Sequence, residues 1–281
     1  MFVVTAVILF AGCAFADGFK IGILSAGSIN DEAALTRSFL SAWEMGKTSE
    51  TIQNSVAEDH SAEDSYVYYD SLASLQLALD SGKIRELDVP QIVGEYMLAK
   101  NPSYEISCTF TNLKVNIDFV FGFFANDKGS VIQKKFDEAL TSLKADGKLD
   151  ELVKTYTGNF DGSKLKPVEF EKFDGAETLK IAVTGDMPPI DFIAADGNPA
   201  GFNVAILSEI AKILKVNLEF VNVDTAAKTV ALTSGRVDAV FWYKKVNVSH
   251  VLQYDIPENV LISSPYYSFN TFVHVRLKDP K

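Results

Sequence analysis

The chain repeats one rhythm twice: a short apolar run bounded by Gly, Ser, Asn or Pro, then a stretch with apolar residues at helical spacing. Residues 19–24 form such a run, and a helix is expected from residue 30 to about 45. Residues 66–69 follow as a strand, and then Leu72, Leu75 and Leu79 share one helical face before Gly82 stops it. A strand at 86–89, a helix at 91–99 closed by Asn101-Pro102, and strands at 104–110 and 118–124 continue the series. Ile132, Phe136, Leu140 and Leu143, then Leu149, Leu152, Val153 and Tyr156, mark two amphipathic helices hinged at Asp146-Gly147-Lys148. From 157 to 176 the pattern dissolves into Gly, Asp, Lys and Pro. It restarts with a strand at 179–183, a Pro-Pro loop, a hairpin through Asp196-Gly197, a helix at 203–214, a strand at 217–221, a helix at 226–234 and a strand at 238–242. Residues 261–275 end as a strand. Strand and helix alternating at short loop lengths predict an α/β chain whose mostly parallel sheets carry helices on both faces.

Its 281 residues suit two lobes, and 47% hydrophobic residues supply two cores. Lys and Arg total 26 against 37 Asp and Glu, a net charge of −11 without a basic cluster, so nucleic acid is excluded as a partner class. Two cysteines, Cys13 and Cys108, do not make a disulfide scaffold, and His60, His250 and His274 show no paired metal-ligand spacing. No metal and no cofactor is expected.

Residues 2–11 form an apolar run too short to span a bilayer, ending at Ala14-Phe15-Ala16 before Asp17, the pattern of a secretory signal. A second reading is a lipoprotein box, Phe10-Ala11-Gly12-Cys13, with Cys13 lipidated after cleavage. Both readings imply export, periplasmic or cell-surface. Cleavage after Ala16 leaves Cys108, read as buried filler and not a nucleophile.

Two stretches carry a family resemblance. Residues 179–242 contain the strand, the Pro-Pro loop, the Asp-Gly hairpin, Gly201-Phe202-Asn203 opening a helix, and Ser234-Gly235-Arg236-Val237-Asp238-Ala239 before a strand. In that order they resemble the first lobe of the extracellular solute-binding proteins of family 3, periplasmic amino-acid receptors of ABC importers. Ser264-Pro265-Tyr266-Tyr267 resembles the segment leading from that lobe into the hinge. The second lobe is resembled by what stands in front: residues 21–28, residues 69–83, and the closing helix pair at 136–156. The resemblance implies a two-lobe periplasmic-binding-protein-like fold of type II, circularly permuted with the second lobe first. Its expected parts are a signal at 1–16, lobe two at 17–115, a hinge strand and closing helices at 116–160, a linker at 161–177, and lobe one at 178–281. A tandem of two degenerate copies is the rival order.

In such a receptor the ligand sits in the interlobe cleft, at strand C-terminal ends and helix N-termini. That locates Ser25, Gly27, Ser28 and Asp88 in lobe two, and Asp186, Met187, Trp242, Tyr243 and Lys245 in lobe one. The resemblance implies that Asp88 takes a ligand ammonium, that the Ser25–Ser28 loop takes a carboxylate, and that Met187 replaces a stacking aromatic. The family's Thr-x-x-Arg clamp is missing after Trp242, where Tyr243-Lys244-Lys245-Val246-Asn247 stands. A lysine supplies charge without a bidentate fork. Lys245 is the substitute or, with Lys244, a solvated charge; Trp242 and Tyr243 stack on ligand or pack under the hinge. Asp88 and Asp186 read equally as turn carboxylates, Ser28 or Asn30 as a helix cap, and His250 and His274 as structural.

The expected function is an exported, monomeric solute-binding protein, without enzymatic activity, that captures a small polar solute, an amino acid or related amine, and hands it to a membrane ABC permease. Ligand contacting both lobes stabilises the closed form by its differential affinity. Two alternatives use the same fold: an exported enzyme acting as a dehydratase on prephenate-like acids, and a sensory or ligand-free interaction module.

Overall fold

The computed structural model describes residues 20–24, 66–69, 71–111, 115–157, 167–224, 227–247 and 257–278. In the first part of the chain lie β1 (Ile21–Leu24), β2 (Tyr66–Tyr69), α1 (Leu72–Asp80), β3 (Glu86–Pro90), α2 (Gln91–Lys100), β4 (Tyr104–Thr111), β5 (Val115–Phe124), α3 (Asp127–Ala145) and α4 (Lys148–Thr157). Then come β6 (Thr178–Val183), β7 (Asp186–Met187), β8 (Asp191–Ile193), β9 (Pro199–Ala200), α5 (Phe202–Leu214), β10 (Asn217–Asn222), α6 (Lys228–Thr233), β11 (Ala239–Asn247), β12 (Val260–Ile262), β13 (Tyr267–Phe269) and β14 (Thr271–Leu277). The signal segment, Cys13, the helix expected at 30–45, Ser25, Ser28 and His250 lie outside the described residues.

The chain divides into two units, Met1–Asn112 with Thr271–Lys281, and Leu113–Asn270. The fold class is mixed α/β. In the first unit the strand order is β2-β1-β3-β14-β4, with β2, β1 and β3 parallel and β14 antiparallel to both β3 and β4. In the second the order is β10-β6-β11-β5-β12, with β10, β6 and β11 parallel and β5 antiparallel to β11 and β12. The sheets are thus mixed, where the alternation of elements predicted mostly parallel ones. Each accepts one antiparallel strand that arrives from a distant part of the chain.

Strand β14 is the clearest departure from the sequence reading, which kept residues 178–281 in one lobe. Its two-residue alternation puts Val273 and Val275, both 0% exposed, on one face. There α2 approaches through Gly94, where a Cβ would collide with the Val273 side chain and meet Val275. That close fit, and the ladders to β3 and β4, hold Thr271–Leu277 in the first unit. Helix α1 begins with a capping box, Ser71 accepting from the Ser74 N–H at 3.2 Å, and buries Leu72, Leu75 and Leu79.

The second unit is built on aromatic packing along β5. Phe119, Phe121 and Phe123 are fully buried; Phe136 of α3 meets Phe121 and Phe123 edge-on at 5.2 and 5.1 Å, and Tyr266 lies 4.7 Å from Phe121. Gly201 precedes α5 at φ +112°, a conformation open to glycine, and an added Cβ would meet Ile190 O at 2.5 Å and Pro189 O at 2.8 Å. The tight approach lets the N–H groups of Phe202 and Asn203 donate to Pro189 and Ile190 carbonyls at 2.9 and 3.0 Å, satisfying donors that a helix start leaves open. Asn203 is 1% exposed, and its Oδ1 accepts from the Tyr266 hydroxyl at 2.8 Å.

Cys108 corrects a second expectation. It is half-buried on β4, opposite His274, and does not fill the core. No helix among the described residues is long and apolar enough to cross a membrane.

Candidate functional site

Each unit holds a cluster of ionisable side chains around a buried carboxylate, and each cluster includes a residue singled out in the sequence as a ligand contact. In the first unit, Glu86 and Asp88 stand two residues apart on β3, hence on one face of the sheet. The antiparallel ladder sets His274 of β14 directly opposite Asp88, and His274 Nδ1 lies 3.1 Å from Glu86 Oε2. Glu86, Asp88 and His274 are 9%, 8% and 6% exposed. One carboxylate oxygen of Asp88, Oδ1, is buried without a hydrogen-bond partner.

Burial pushes the Asp88 carboxyl up to about 6, a rise that the positive charge of His274 partly restrains. Burial also works against a charged His274, yet the hydrogen bond from Glu86 and the charges of Asp88 and Glu86 outweigh it and hold the imidazole above its ordinary range. For Glu86 burial pulls upward, and the hydrogen bonds of His274 and Ser107 reverse it to a net lowering. The shifts run in the sense of an ion pair, Glu86 held toward its anion and His274 toward its cation, with Asp88 ionising near 6 beside them.

In the second unit, β7 and β8 pair so that Met187 faces Asp191 and Asp186 faces Phe192. Asp191 is 3% exposed; its Oδ2 accepts from the Thr184 N–H at 2.9 Å and the Thr184 hydroxyl at 3.0 Å, while Oδ1 is buried without a partner. Burial raises the Asp191 carboxyl, opposed by the Thr184 bonds and the charge of Lys228, and assisted by the charge of Asp186. Lys228, which opens α6, is drawn down by burial against the pull of Asp191 and Asp186. Chemically, each cluster presents a buried carboxylate with an unfilled acceptor position, anchored by Thr184 in the case of Asp191, which suits an N–H donor on a cation. Among the described residues no group of three or more His, Cys, Asp or Glu is arranged to hold a metal ion.

Asp88, Asp186 and Met187 thus fall inside or beside these clusters, with Asp88 within its strand and not in a loop beyond it. Trp242, Tyr243 and Lys245 were placed after a strand ending at 242, but β11 continues to Asn247 and pairs them with Val120, Phe119 and Ile117 of β5. Parallel β6 pairs only with Ala239 and Val240, so it is the antiparallel partner that extends the strand. The side chains of these three residues fall outside the described set. Glu86 had been named only as a candidate acid or base for the enzymatic alternative, and Thr184, Asp191 and Lys228 were not named as site residues. Asp191 follows the Pro-Pro loop directly, and a charged residue between Ile190 and Phe192 was the available signal. An open groove of about 410 Å³ lies elsewhere on the second unit, where the α3–α4 turn faces α5; its Lys148 and Lys212 pair locally with Glu151 and Glu209, and it includes no cluster residue.

Comparison with known proteins bears on the second unit most directly. No curated protein sequence matches the chain. Among solved structures, it is similar to the ligand-binding component of an ABC-type import system from Staphylococcus aureus with zinc bound, at 12% identity and a TM-score of 0.42, covering 92% of this chain and 65% of that one. It is also similar to the phosphate-binding protein of a phosphate ABC transporter from Streptococcus pneumoniae, at 9% identity and a TM-score of 0.37, covering 94% and 90%. A third is the GluR0 ligand-binding core from Nostoc punctiforme in complex with L-glutamate, at 8% identity and a TM-score of 0.37, covering 93% and 86%. Residues 179–281, the stretch that carries Asp186, Asp191 and Lys228, match the family of bacterial extracellular solute-binding proteins, family 3.

Proposed function

We propose that the protein is an exported solute-binding protein that captures a small polar solute, an amino acid or a related amine, and delivers it to an ABC importer. Buried carboxylates with an unpartnered oxygen, at Asp88 and Asp191, carry this reading in a chain whose residues 179–281 match a solute-binding family. An ionised carboxylate out of water with an empty acceptor position is unfavourable by itself, and an ammonium that fills it restores the lost hydrogen bond and charge pairing. Binding needs no covalent step, and the ligand stabilises whichever form it contacts best.

The order of the chain fits a circular permutation under the same proposal. Both sheets follow one plan, in which the antiparallel strand beside β3 or β11 comes from a distant segment. In the first unit β1 and β14 flank β3 on either side, and the start of β1 and the end of β14 lie at the same end of that strand. Two strand spacings separate them, about 10 Å.

A thermal-shift panel of amino acids, amines and small acids tests the function. A ligand present at a hundred times its dissociation constant adds about 2.7 kcal/mol of stability. Silence across the amines and amino acids, with turnover of a prephenate-like acid, would replace the reading with the enzymatic one.

A further inference from the structure

We propose that His274 is a positioning residue for Asp88: held as an imidazolium by Glu86, it keeps the neighbouring carboxylate ionised, so that the protein binds the cationic group of its solute at neutral pH and releases it in mild acid. The inference rests on the reading of Asp88 as a ligand contact, and it assigns to β14 a role in binding that no motif in the sequence indicates.

The geometry is specific. His274 and Asp88 are direct cross-strand partners, whose Cβ atoms stand about 5 Å apart in an antiparallel ladder. Glu86 bonds the imidazole from the same strand as Asp88, fixing the ring between two acids. Asp88 makes no hydrogen bond through Oδ1, and the positive charge of His274 acts on the carboxylate. Other described groups lie near the imidazole. On β4, Cys108 is the strand partner of His274, and the Ser107 hydroxyl lies between two acceptors, the His274 carbonyl at 3.4 Å and the Glu86 carboxylate on which it also acts. Arg276, two residues along β14, is held by Glu105 of β4 at 2.7 Å and acts on Glu86. On β1 the strand partners of Glu86 and Asp88 are Ile21 and Ile23, both apolar. Helices α1 and α2 pack against the opposite face, through Leu75 beside Gly22 and through Gly94 beside Val89, Val273 and Val275, so their charged groups do not face the imidazole.

The sign follows from the pairing. Asp88 ionises with a midpoint near 6, and the positive charge of His274 pulls that midpoint down. Removing the imidazolium deletes the one attraction that lowers the midpoint, so it climbs. An opposite charge at this range moves a carboxyl by about 1 pH unit or more.

The test reads Asp88 and His274 directly in the full chain by carboxyl and imidazole NMR titration, without ligand. His274→Gln is expected to raise the Asp88 midpoint from near 6 by about 1 pH unit. Asp88→Asn, isosteric and retaining the fold should His274→Gln lose it, is expected to lower the His274 midpoint, as reciprocal coupling requires. An unmoved midpoint in both variants overturns the inference. Binding of the best amine or amino acid from the thermal panel is then measured between pH 5 and 8. Affinity that falls below pH 6 in the wild type, and below a higher pH in His274→Gln, supports the inference; a uniform loss with an unchanged pH profile overturns it. If the midpoints move and no amine or amino acid binds at any pH, the coupling stands and the functional reading fails.

Discussion

Asp88→Asn tests the cost of holding a charge inside the first unit. Asp88 is 8% exposed, has one unpartnered oxygen and ionises at about 6, against an ordinary value of 3.8. A folded-state value raised above the unfolded one means that the protonated carboxyl favours folding. That advantage is whole below about pH 4 and is lost as pH rises through 6. Above pH 7 the native state carries a penalty of about 3 kcal/mol relative to a neutral side chain, an upper figure because the charge of His274 also leaves the variant short of a partner. Asparagine keeps the shape and drops the charge. Urea denaturation at pH 8 is expected to show the variant about 1–3 kcal/mol more stable than the wild type, with the difference vanishing at pH 3.5. A gain in stability purchased at the expense of ligand binding is the signature of a functional group held at a cost. A variant that is less stable at pH 8, or equally altered at both pH values, would refute the reasoning.

Three further outcomes are expected. Gly201→Ala forces a Cβ against the Pro189 and Ile190 carbonyls at φ +112° and should destabilise the second unit by about 3–5 kcal/mol, read from its thermal midpoint; a loss below about 1 kcal/mol would show that the turn relaxes. Tyr266→Phe leaves Asn203 Oδ1 buried without its 2.8 Å donor and should cost about 1–3 kcal/mol by urea denaturation, with no change expected in the pH dependence of stability. A reordered chain running from residue 178 to 278, through a short Gly/Ser linker, then from residue 20 to 157, should keep the circular dichroism spectrum and the ligand response of the parent; collapse of the first unit's β signal would argue against the permuted reading.

Local rhythm was legible in the sequence because helices and strands announce themselves by period and punctuation. The amphipathic pair around Asp146-Gly147-Lys148 became α3 and α4, and Gly201-Phe202-Asn203 became the start of α5. What could not be read was which strands lie side by side. Nothing in residues 271–277 shows that they join β3 and β4, because the fit depends on Gly94 far away in sequence. Residues 242–247 looked like a loop because their ladder partner is β5, more than a hundred positions earlier. The clusters share this property: Glu86 and His274 are 188 positions apart, and Asp191 acquires its anchor from Thr184 only once β7 and β8 pair. Asp88 and Asp186 could be named from their positions, whereas their chemistry comes from neighbours that the fold supplies.

The most direct test of the account is calorimetric titration of the strongest thermal-panel ligand into the wild type, Asp88→Asn and Asp191→Asn at pH 7.5. Saturable binding by the wild type, weakened at least tenfold in at least one of the two variants, is the predicted result. Binding of equal strength in all three proteins would contradict the claim that these buried carboxylates receive the solute.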